Sequence, residues 1–297
     1  MIQSRLKGMG VALITPFKSD ESVDYEALIR VVDHLIKNGT DFLCILATTA
    51  ETPTLTTEEK QNIKNLIVDR VNGQIPIVMG CGGNNTKAVV ESLKNDDFTG
   101  IDAVLSVVPF YNKPSQEGLY QHYKAISEAS PKPVILYNVP GRTGVNMKAE
   151  TTLRIARDCK NVIGIKEASG DISQMDDIIK NKPANFEVFS GDDGVAFPLI
   201  TLGAVGVISV IGNAFPREFS RMTRLALNGD YANALKIHHS FTELFKLLFV
   251  DGNPAGVKAM LNAMGMIENK LRLPLVPTRI TTFEKMREIL TELNIKY

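Results

Sequence analysis

The sequence has no surplus of charge of either sign, and this excludes partners that are bound through a broad electrostatic field. Lys plus Arg and Asp plus Glu each number 33 among 297 residues, so the formal net charge at neutral pH is zero. Nucleic acid and an acidic membrane surface are therefore not expected partners. A charged ligand must instead be recognised by a few local groups.

Cysteines and long apolar runs are also scarce. Cys44, Cys81 and Cys159 are odd in number and lack CxxC spacing, so neither a disulfide framework nor a zinc site is expected. Cys44 and Cys81 lie in apolar runs and are interpreted as small core residues. No segment approaches the roughly 18 apolar residues that span a bilayer, and residues 1–10 contain no run of signal-peptide length. These absences predict a cytoplasmic protein without a membrane segment.

Short apolar runs rich in β-branched residues alternate with amphipathic segments over the first 228 residues. Because these runs are continuously apolar, they indicate parallel strands buried on both faces. Eight strand–helix units in one series favour an α/β fold closed into a (β/α)8 TIM barrel over an open doubly wound sheet. The predicted strands are residues 11–16, 42–48, 75–81, 103–109, 134–139, 162–167, 186–190 and 205–210. The predicted helices between them include residues 25–37, 57–71, 86–94, 116–128, 149–158 and 173–181.

The strand pattern stops after residue 228. Residues 231–250, 254–264 and 281–293 are predicted to be helices, and the prolines of residues 271–277 mark a connection. We therefore expect a catalytic barrel over residues 1–228, followed by a C-terminal three-helix domain over residues 229–297 that is an appendage to the barrel. No GxGxxG follows the first strand and no GxxxxGK[ST] is present, which weakens dinucleotide and P-loop interpretations.

Side chains at the C-terminal ends of barrel strands face the active site, and Lys166 is the most informative of them. It lies in an apolar run, where burial favours the neutral amine, the nucleophile that attacks a ketone to form an imine. Position alone leaves open that Lys166 only pairs with a carboxylate across the barrel. Tyr137, one strand earlier, can relay protons during imine chemistry, although a tyrosine at a strand end is also a common packing residue.

Four more polar residues follow strand ends. Thr48 and Thr49 offer hydroxyl and amide groups that suit a small carboxylate, or they form a capped turn leading to the next helix. Arg142, in a glycine-flanked loop, can grip a carboxylate through two hydrogen bonds, although a loop arginine is usually solvated. Tyr111 follows a Pro-Phe pair and is either a site residue or an apolar contact.

Metal binding has little support in the sequence. Asp192 and Asp193 follow the seventh strand and could hold magnesium, but they are also typical helix-capping residues, which is the favoured interpretation. None of the four histidines lies at a predicted strand end, which argues against a histidine metal site. We therefore expect no metal.

Four motifs together resemble the family of pyruvate-dependent class I aldolases that includes dihydrodipicolinate synthase and N-acetylneuraminate lyase. They are PFYNKPSQEGLYQHY at 109–123, YNVPGRTG at 137–144, GIKEASGD at 164–171 and SGDDG at 190–194. The resemblance covers essentially the whole chain. It implies a Schiff-base aldolase that needs no external cofactor, because the imine itself is the electron sink.

The resemblance also implies roles for particular residues. Lys166 would be the Schiff-base lysine and Tyr137 the general acid and base, with Thr48 and Tyr111 completing a proton relay. In the synthase branch Tyr111 reaches into the neighbouring subunit's site, which implies a functional dimer within a homotetramer.

Three further positions would bind substrate by the same resemblance. Thr49 would hold the pyruvate carboxylate, Ile208 would line the same pocket, and the backbone of Gly191 would lie close to the substrate.

Arg142 distinguishes the two branches of the family. In the synthase branch an arginine here binds the carboxylate of L-aspartate 4-semialdehyde, and the sialic acid lyase branch generally lacks it. The resemblance therefore implies condensation of pyruvate with L-aspartate 4-semialdehyde, in the diaminopimelate route to lysine. The alternative is an N-acetylneuraminate lyase or a 2-keto-3-deoxy sugar acid aldolase that uses the same Schiff-base lysine.

The sequence departs from the family pattern at two places. Ala47 and Ala50 replace the glycines of a Gly-Thr-Thr-Gly-Glu turn, so this turn must avoid glycine-only conformations at both positions. Lysine-inhibited members hold the inhibitor with a histidine, an asparagine, a glutamate and a tyrosine. The matching residues here are Lys60, Asn84, Ala88 and Phe110. Because no carboxylate remains for the inhibitor's ammonium and Lys60 adds a like charge, we expect weak or absent lysine feedback.

Overall fold

Eight parallel strands close into a barrel in the order in which they occur along the chain, in a computed structural model that describes residues 2–292. The predicted eight-stranded barrel is thereby confirmed. The strands are β1 Gly8–Ala12, β2 Phe42–Ile45, β3 Ile77–Gly80, β4 Ala103–Val107, β5 Val134–Asn138, β6 Val162–Glu167, β7 Glu187–Ser190 and β8 Gly206–Ser209.

Helices surround the barrel and continue beyond its last strand. Among residues 2–292, no helix combines the length and the apolar character that a membrane span requires. The helices are α1 Ile2–Arg5, α2 Tyr25–Lys37, α3 Thr57–Val71, α4 Thr86–Asn95, α5 Gln116–Ala129, α6 Pro140–Thr143, α7 Ala149–Asp158, α8 Ile172–Asn181, α9 Asp193–Leu202, α10 Pro216–Leu227, α11 Tyr231–Ser240, α12 Thr242–Val250, α13 Ala255–Ala263 and α14 Ile280–Glu292.

The first strand lies about three residues earlier than predicted, because glycines there serve close packing rather than a turn. A Cβ atom on Gly10 would lie 2.1 Å from the ring of Phe42. One on Gly206 would lie 1.9 Å from the carbonyl oxygen of Gly8 on the neighbouring strand. The strand therefore uses residues of low β propensity where the barrel wall leaves no room for a side chain.

Local capping fixes the start of the helix that follows the second strand. The hydroxyl of Thr56 accepts a hydrogen bond from the Glu59 amide at 3.1 Å, and the Glu59 carboxylate accepts one from the Thr56 amide at 2.9 Å. This reciprocal capping box satisfies two amides that have no partner within the helix. It fixes where α3 begins, after the two short 3-10 turns Thr48–Ala50 and Thr52–Thr54.

The prediction of a single helix over residues 231–250 is wrong, because the chain breaks between α11 and α12 at Phe241. The Phe241 ring is 2% exposed and packs against Phe215 on the last barrel loop, with ring centroids 5.2 Å apart. Burying this ring outweighs the continuation of the helical hydrogen bonds. The division of the chain at residue 228 stays a prediction, and Leu293, the last residue of the third predicted helix, lies outside the described residues.

The barrel interior is packed rather than hollow, as is usual for this fold. Phe42 and Phe189 meet edge to face with centroids 6.0 Å apart, and Cys44, Tyr137 and Ile208 belong to the same buried cluster. Each of these side chains removes apolar surface from water and stabilises the fold by roughly 1–3 kcal/mol. The open space lies above this cluster, at the C-terminal ends of the strands.

Stability is expected to fall between neutral and mildly acidic pH because of His122. This α5 side chain is 4% exposed, and burial lowers its pKa from 6.5 to about 4. Below pH 6.5 His122 binds a proton in the unfolded chain but stays neutral in the folded chain. The free energy of unfolding therefore decreases as the pH falls. The full difference between the two pKa values corresponds to about 3 kcal/mol.

Urea denaturation at about pH 7 and about pH 5 tests this expectation. His122→Asn keeps a group that can hydrogen-bond the Thr86 hydroxyl, which lies 2.8 Å from Nδ1 of His122, but does not titrate. Between about pH 7 and about pH 5, the free energy of unfolding of the variant should decrease by roughly 2 kcal/mol less than that of the natural chain. Equal losses in both proteins would contradict the assignment.

Candidate active site

A cavity of about 520 Å³ opens at the C-terminal end of the barrel. Three of the predicted site residues, Thr48, Tyr137 and Arg142, line it together. They come from the turn after β2, from β5 and from α6. Barrel closure thus brings together groups that are far apart in sequence, at the end of the fold where TIM-barrel chemistry takes place.

Lys166 lies beneath this cavity on β6. Its side chain is 4% exposed, and its Nζ atom lies 4.5 Å from the centroid of the Tyr137 ring. The register of β5 and β6 pairs the two residues directly. Lys166 is deeply buried, yet no acidic side chain among the described residues forms an ion pair with it. The alternative that Lys166 only pairs with a carboxylate across the barrel is therefore not supported.

Gly191 lies directly against this lysine. A Cβ atom at Gly191 would lie 2.7 Å from Cβ of Ala168 and 3.1 Å from Cε of Lys166. The glycine therefore leaves the room that the lysine side chain occupies. Ile208 is fully buried on β8 in the same interior cluster as Tyr137.

Cys44 is a second potential nucleophile in the barrel interior. It is fully buried on β2, as the apolar run predicted. Burial raises the pKa of its thiol to about 11, although the nearby Lys166 ammonium acts in the opposite direction. The thiol is therefore protonated at neutral pH and is a poor nucleophile. Cys81, by contrast, is only half-buried and lines the cavity.

The turn after β2 forms a short 3-10 helix over Thr48–Ala50. Ala47 has φ −102°. The residues with positive φ include Leu46, which precedes Ala47, and Glu51, which follows Ala50, but neither alanine. The alanines therefore occupy conformations that any L-residue can adopt. The expectation that this turn avoids glycine-only backbone at both positions is confirmed.

Glu51 ends this turn and is held by residues from the distant C-terminal part. It is 1% exposed with φ 54°, and its carboxylate accepts hydrogen bonds from Nζ of Lys258 at 2.5 Å and from the Arg272 amide at 3.2 Å. Burial lowers the pKa of Lys258 to about 8, while Glu51 acts in the opposite direction. The left-handed backbone at Glu51 is thus fixed by a buried ion pair.

Asn253 also comes from the C-terminal part and touches two predicted site residues. Its Nδ2 donates to Oγ1 of Thr49 at 3.1 Å, and its carbonyl oxygen accepts from the Arg142 guanidinium at 3.4 Å. The sequence reasoning missed both Asn253 and Lys258. Lys258 carries the same signal as Lys166, a lysine within an apolar run, but this run is helical and lies outside the barrel strands.

Two predicted relay residues are not in hydrogen-bonding contact with Tyr137. Thr48 lines the cavity beside it, but among the described residues no hydrogen bond joins their hydroxyls. Tyr111 is 89% exposed with φ 73°, and its amide bonds the carbonyl oxygen of Thr143 at 3.4 Å. Tyr111 therefore projects from the chain rather than into this chain's own cavity.

In the acidic pair after β7, Asp192 is the predicted cap of α9. The prediction is wrong for Asp193, the first residue of that helix, whose carboxylate instead binds the turn after β8. The Asp192 carboxylate accepts from the Gly194 amide at 2.8 Å, and Asp193 accepts from the amides of Val210 and Ile211 at 3.0 and 2.8 Å. Burial raises the pKa of Asp193 to about 6. No group of three or more His, Cys, Asp or Glu residues that could hold a metal occurs within residues 2–292.

Glu167 is a buried carboxylate that follows Lys166 directly in the chain, but its hydrogen bonds do not involve Lys166. It accepts hydrogen bonds from Asn138 at 3.1 Å, from the Ser169 amide at 2.7 Å and from Gln174 at 3.2 Å. Burial raises its pKa. Because neighbouring side chains on a strand point to opposite faces, this network supports the strand from the helix layer rather than entering the cavity.

Three of the four residues matched to the lysine-inhibitor site line a second cavity of about 510 Å³, which shares lining residues with the first. Lys60 lines both cavities, and Asn84 and Ala88 line the second. Phe110 is 41% exposed and lines the first. The expectation of weak lysine feedback stays a prediction.

Comparison with known proteins finds one family model and several close relatives that match this chain over nearly its whole length. The model of the dihydrodipicolinate synthetase family matches residues 5–293. The chain is 80% identical to a 4-hydroxy-tetrahydrodipicolinate synthase of Phocaeicola vulgatus and 75% identical to one of Parabacteroides distasonis, each over all of both chains. It is 40% identical to the chloride-inhibited dihydrodipicolinate synthase of Acinetobacter baumannii solved with pyruvate, with a TM-score of 0.94 and coverage of 98% of this chain and 99% of that one.

Proposed function

The chain belongs to the dihydrodipicolinate synthetase family, and we propose that it condenses pyruvate with L-aspartate 4-semialdehyde through a Schiff base on Lys166. The family predicted from the four sequence motifs is confirmed, and so is the lyase class of the enzyme. The product belongs to the diaminopimelate route to lysine. The burial of Lys166 beneath Tyr137, with no acidic partner, is the single observation that carries the role of that lysine.

The proposed reaction begins with attack of the Lys166 amine on the ketone carbon of pyruvate. Loss of one water gives the imine, and loss of a methyl proton gives the nucleophilic enamine. The enamine carbon then bonds to the aldehyde carbon of the second substrate, whose oxygen takes up a proton. Finally, the amine of that substrate attacks the imine carbon and displaces Lys166, so that the ring closes and the enzyme is regenerated.

Tyr137 is suited to move the protons that these steps require. Its ring lies over the Lys166 amine and its side chain lines the cavity, so that its hydroxyl can serve as general acid and base. We assign Thr48 and Tyr111 to the same relay. Thr49 would hold the pyruvate carboxylate, beside Ile208 and the backbone of Gly191.

We further propose that the active enzyme is a homotetramer built as a dimer of dimers, in the cytoplasm. Tyr111 supports this assembly because a tyrosine that is 89% exposed at the edge of the cavity can reach a neighbouring subunit. Its relay role would then require the partner chain. The 41% exposed Phe110 beside it gives this edge an apolar character.

Arg142 is expected to select the aldehyde substrate. Arg142→Ala should raise KM for aspartate semialdehyde roughly 10-fold to 100-fold, because it removes a charge-assisted pair of hydrogen bonds to the carboxylate, and should leave KM for pyruvate nearly unchanged. Arg142→Lys should recover only part of the loss, because an ammonium cannot bind a carboxylate with a planar fork. Steady-state kinetics with each substrate varied in turn measures both constants.

Parallel assays with N-acetylneuraminate distinguish the alternative. The proposed function requires condensation of pyruvate with aspartate semialdehyde and no cleavage of the sialic acid. Efficient cleavage of sialic acid, with little condensation, would favour the lyase instead. An Arg142→Ala effect confined to pyruvate would remove the assignment of Arg142 while leaving the synthase function intact.

A further inference from the structure

We propose that Asn138 and Glu167 are a positioning pair, whose hydrogen bond on the outer face of the barrel wall fixes the spacing between the Lys166 amine and the Tyr137 side chain. The inference rests on the proposed function, because this spacing matters for proton transfer at an imine on Lys166. It assigns a role to two polar residues that belong to the sequence motifs but do not enter the cavity.

Strand register places the pair directly behind the two site residues. β5 and β6 pair Tyr137 with Lys166 and, one step further along, Asn138 with Glu167. Because successive side chains on a strand point to opposite faces, the first pair faces the barrel interior and the second faces the surrounding helices. The Nδ2 atom of Asn138 lies 3.2 and 3.1 Å from the two carboxylate oxygens of Glu167. These side chains therefore join the two strands immediately beside the site.

The pair is polar at a level where the outer face of these strands has been apolar. Leu136 and Ile165, the preceding outward-facing residues of β5 and β6, belong to the main apolar core. Asn138 and Glu167 are both fully buried, and burial raises the pKa of the Glu167 carboxyl. No ion pair within residues 2–292 includes Glu167. A buried carboxylate without a counter-charge stabilises a fold less than an apolar contact of similar size, so stability alone does not explain the pair.

The main chain of the same two residues extends this connection to the next strand. The carbonyl oxygen of Asn138 accepts a hydrogen bond from the Ala168 amide at 2.9 Å, and that of Glu167 accepts one from the Gly191 amide at 2.7 Å. Gly191 is the glycine whose missing Cβ leaves room for Cε of Lys166. A shift of Glu167 would therefore move both the strand end that carries Lys166 and the glycine beside it.

Proton transfer between the Tyr137 hydroxyl and an imine on Lys166 is sensitive to such a shift. The Lys166 Nζ atom lies 4.5 Å from the centroid of the Tyr137 ring, and a displacement of about 1 Å in a reacting geometry can cost roughly 100-fold in rate. The groups assigned to the substrate carboxylates, Thr49 and Arg142, lie on other elements. The pair should therefore affect kcat more than KM.

Asn138→Leu tests the inference, because leucine is close to asparagine in shape and cannot donate to Glu167. In steady-state assays kcat should fall roughly 10-fold to 100-fold, with smaller changes in KM for pyruvate and for aspartate semialdehyde. The rate at which pyruvate forms its adduct on Lys166, measured by quenching with borohydride at short times, should fall as well.

A double variant rebuilds the contact with donor and acceptor exchanged. Asn138→Asp combined with Glu167→Gln keeps one amide and one carboxylate at the two positions, so the hydrogen bond between the strands can form again in the reverse direction. This variant should recover most of the kcat that Asn138→Leu loses.

Asn161→Leu is the matched control, because Asn161 joins the same two strands at the other end of β6. Its carbonyl oxygen accepts a hydrogen bond from the Val134 amide at 2.8 Å, and its Nδ2 donates to the carbonyl oxygens of Ser130 and Lys132 at 3.1 and 3.0 Å. The substitution removes these side-chain bonds, so the midpoint of urea denaturation should fall. The kcat of the folded variant should stay at the natural value.

Three results would overturn the inference. The first is a natural kcat in folded Asn138→Leu, and the second is an equal loss of kcat in Asn161→Leu. The third is a double variant that regains the urea midpoint without regaining kcat. If Asn138→Leu does not fold, Glu167→Gln decides instead: it replaces a charge-assisted hydrogen bond by a neutral one and should lower kcat several-fold, whereas an unchanged kcat would also overturn the inference.

Failure of the proposed function gives a different result. If the natural chain formed no pyruvate adduct on Lys166, the Schiff-base function itself would fail, and the inference with it. A normal adduct together with an unchanged kcat in Asn138→Leu would remove only the positioning role.

Discussion

Lys166→Met is expected to lower kcat/KM for the condensation by roughly 10⁴-fold to 10⁶-fold, the size of effect seen when a covalent nucleophile is removed. Methionine keeps the length and apolar character of the side chain and lacks the amine. The position is 4% exposed and lies against the Tyr137 ring, so an apolar replacement should fold at least as well as the natural chain. The loss would therefore report chemistry and not unfolding.

Borohydride trapping gives a second measurement for the same variant. In the natural chain with pyruvate, reduction of the imine should leave an adduct of pyruvate less one oxygen atom on the peptide that contains Lys166. Lys166→Met should give no adduct. Mass spectrometry of the digested protein locates the modified residue.

Lys64→Met is the matched control, because Lys64 is another buried lysine at 3% exposure. Its Nζ atom donates to the Asp97 carboxylate at 2.5 Å on the outside of the barrel, far along the chain from β6. This variant should retain both the adduct and the activity. An adduct that persisted in Lys166→Met, or that disappeared only in Lys64→Met, would refute the Schiff-base assignment.

The barrel could be predicted because each strand is apolar on both faces and each is followed by a separate amphipathic helix. The one strand that was misplaced, β1, contains Gly8 and Gly10, and the reason is a tertiary contact: the ring of Phe42 occupies the space of the Gly10 side chain. The helix break at Phe241 likewise depends on rings that pack from another element. The local sequence pattern contains no information about either tertiary contact, so it could predict neither the position of β1 nor the helix break.

The candidate site also contains residues that the local sequence pattern could predict and residues that it could not. Lys166 and Tyr137 could be found because barrel geometry turns strand ends into site positions. Asn253 meets Thr49 across 204 residues, and Lys258 meets Glu51 across 207. Since the C-terminal helices have no strand ends to mark them, their site contacts follow only from how they pack against the barrel.

Lys258→Met is expected to destabilise the protein by about 3–5 kcal/mol, because it removes the ammonium that is paired with the buried Glu51 carboxylate. The charge of Arg272, which forms no ion pair with Glu51, would be the counter-charge that remains. Both side chains of the Lys258–Glu51 pair are fully buried and their charged atoms lie 2.5 Å apart. Only the Arg272 amide would remain as a donor to Glu51 among the contacts described. The midpoint of urea denaturation should fall while the slope stays unchanged.

The pair's mutual dependence can be measured with a second substitution. Glu51→Gln in the Lys258→Met background removes the isolated charge, so the double variant should recover a large part of the lost stability. Lys270→Met provides the surface control: its partner Glu21 is 52% exposed, and the cost should be no more than about 1 kcal/mol. Similar losses for Lys258 and Lys270 would contradict the buried-pair interpretation.

The Lys258 substitution should also affect substrate binding, because Glu51 ends the turn that contains Thr48 and Thr49. When the ion pair is lost, the left-handed backbone at Glu51 loses its anchor, and the Thr49 hydroxyl loses its fixed position. We therefore expect KM for pyruvate to rise several-fold in Lys258→Met under conditions where the variant is folded, with a smaller change for aspartate semialdehyde. Unchanged pyruvate binding in a measurably destabilised variant would show that the pair supports the fold without positioning the turn.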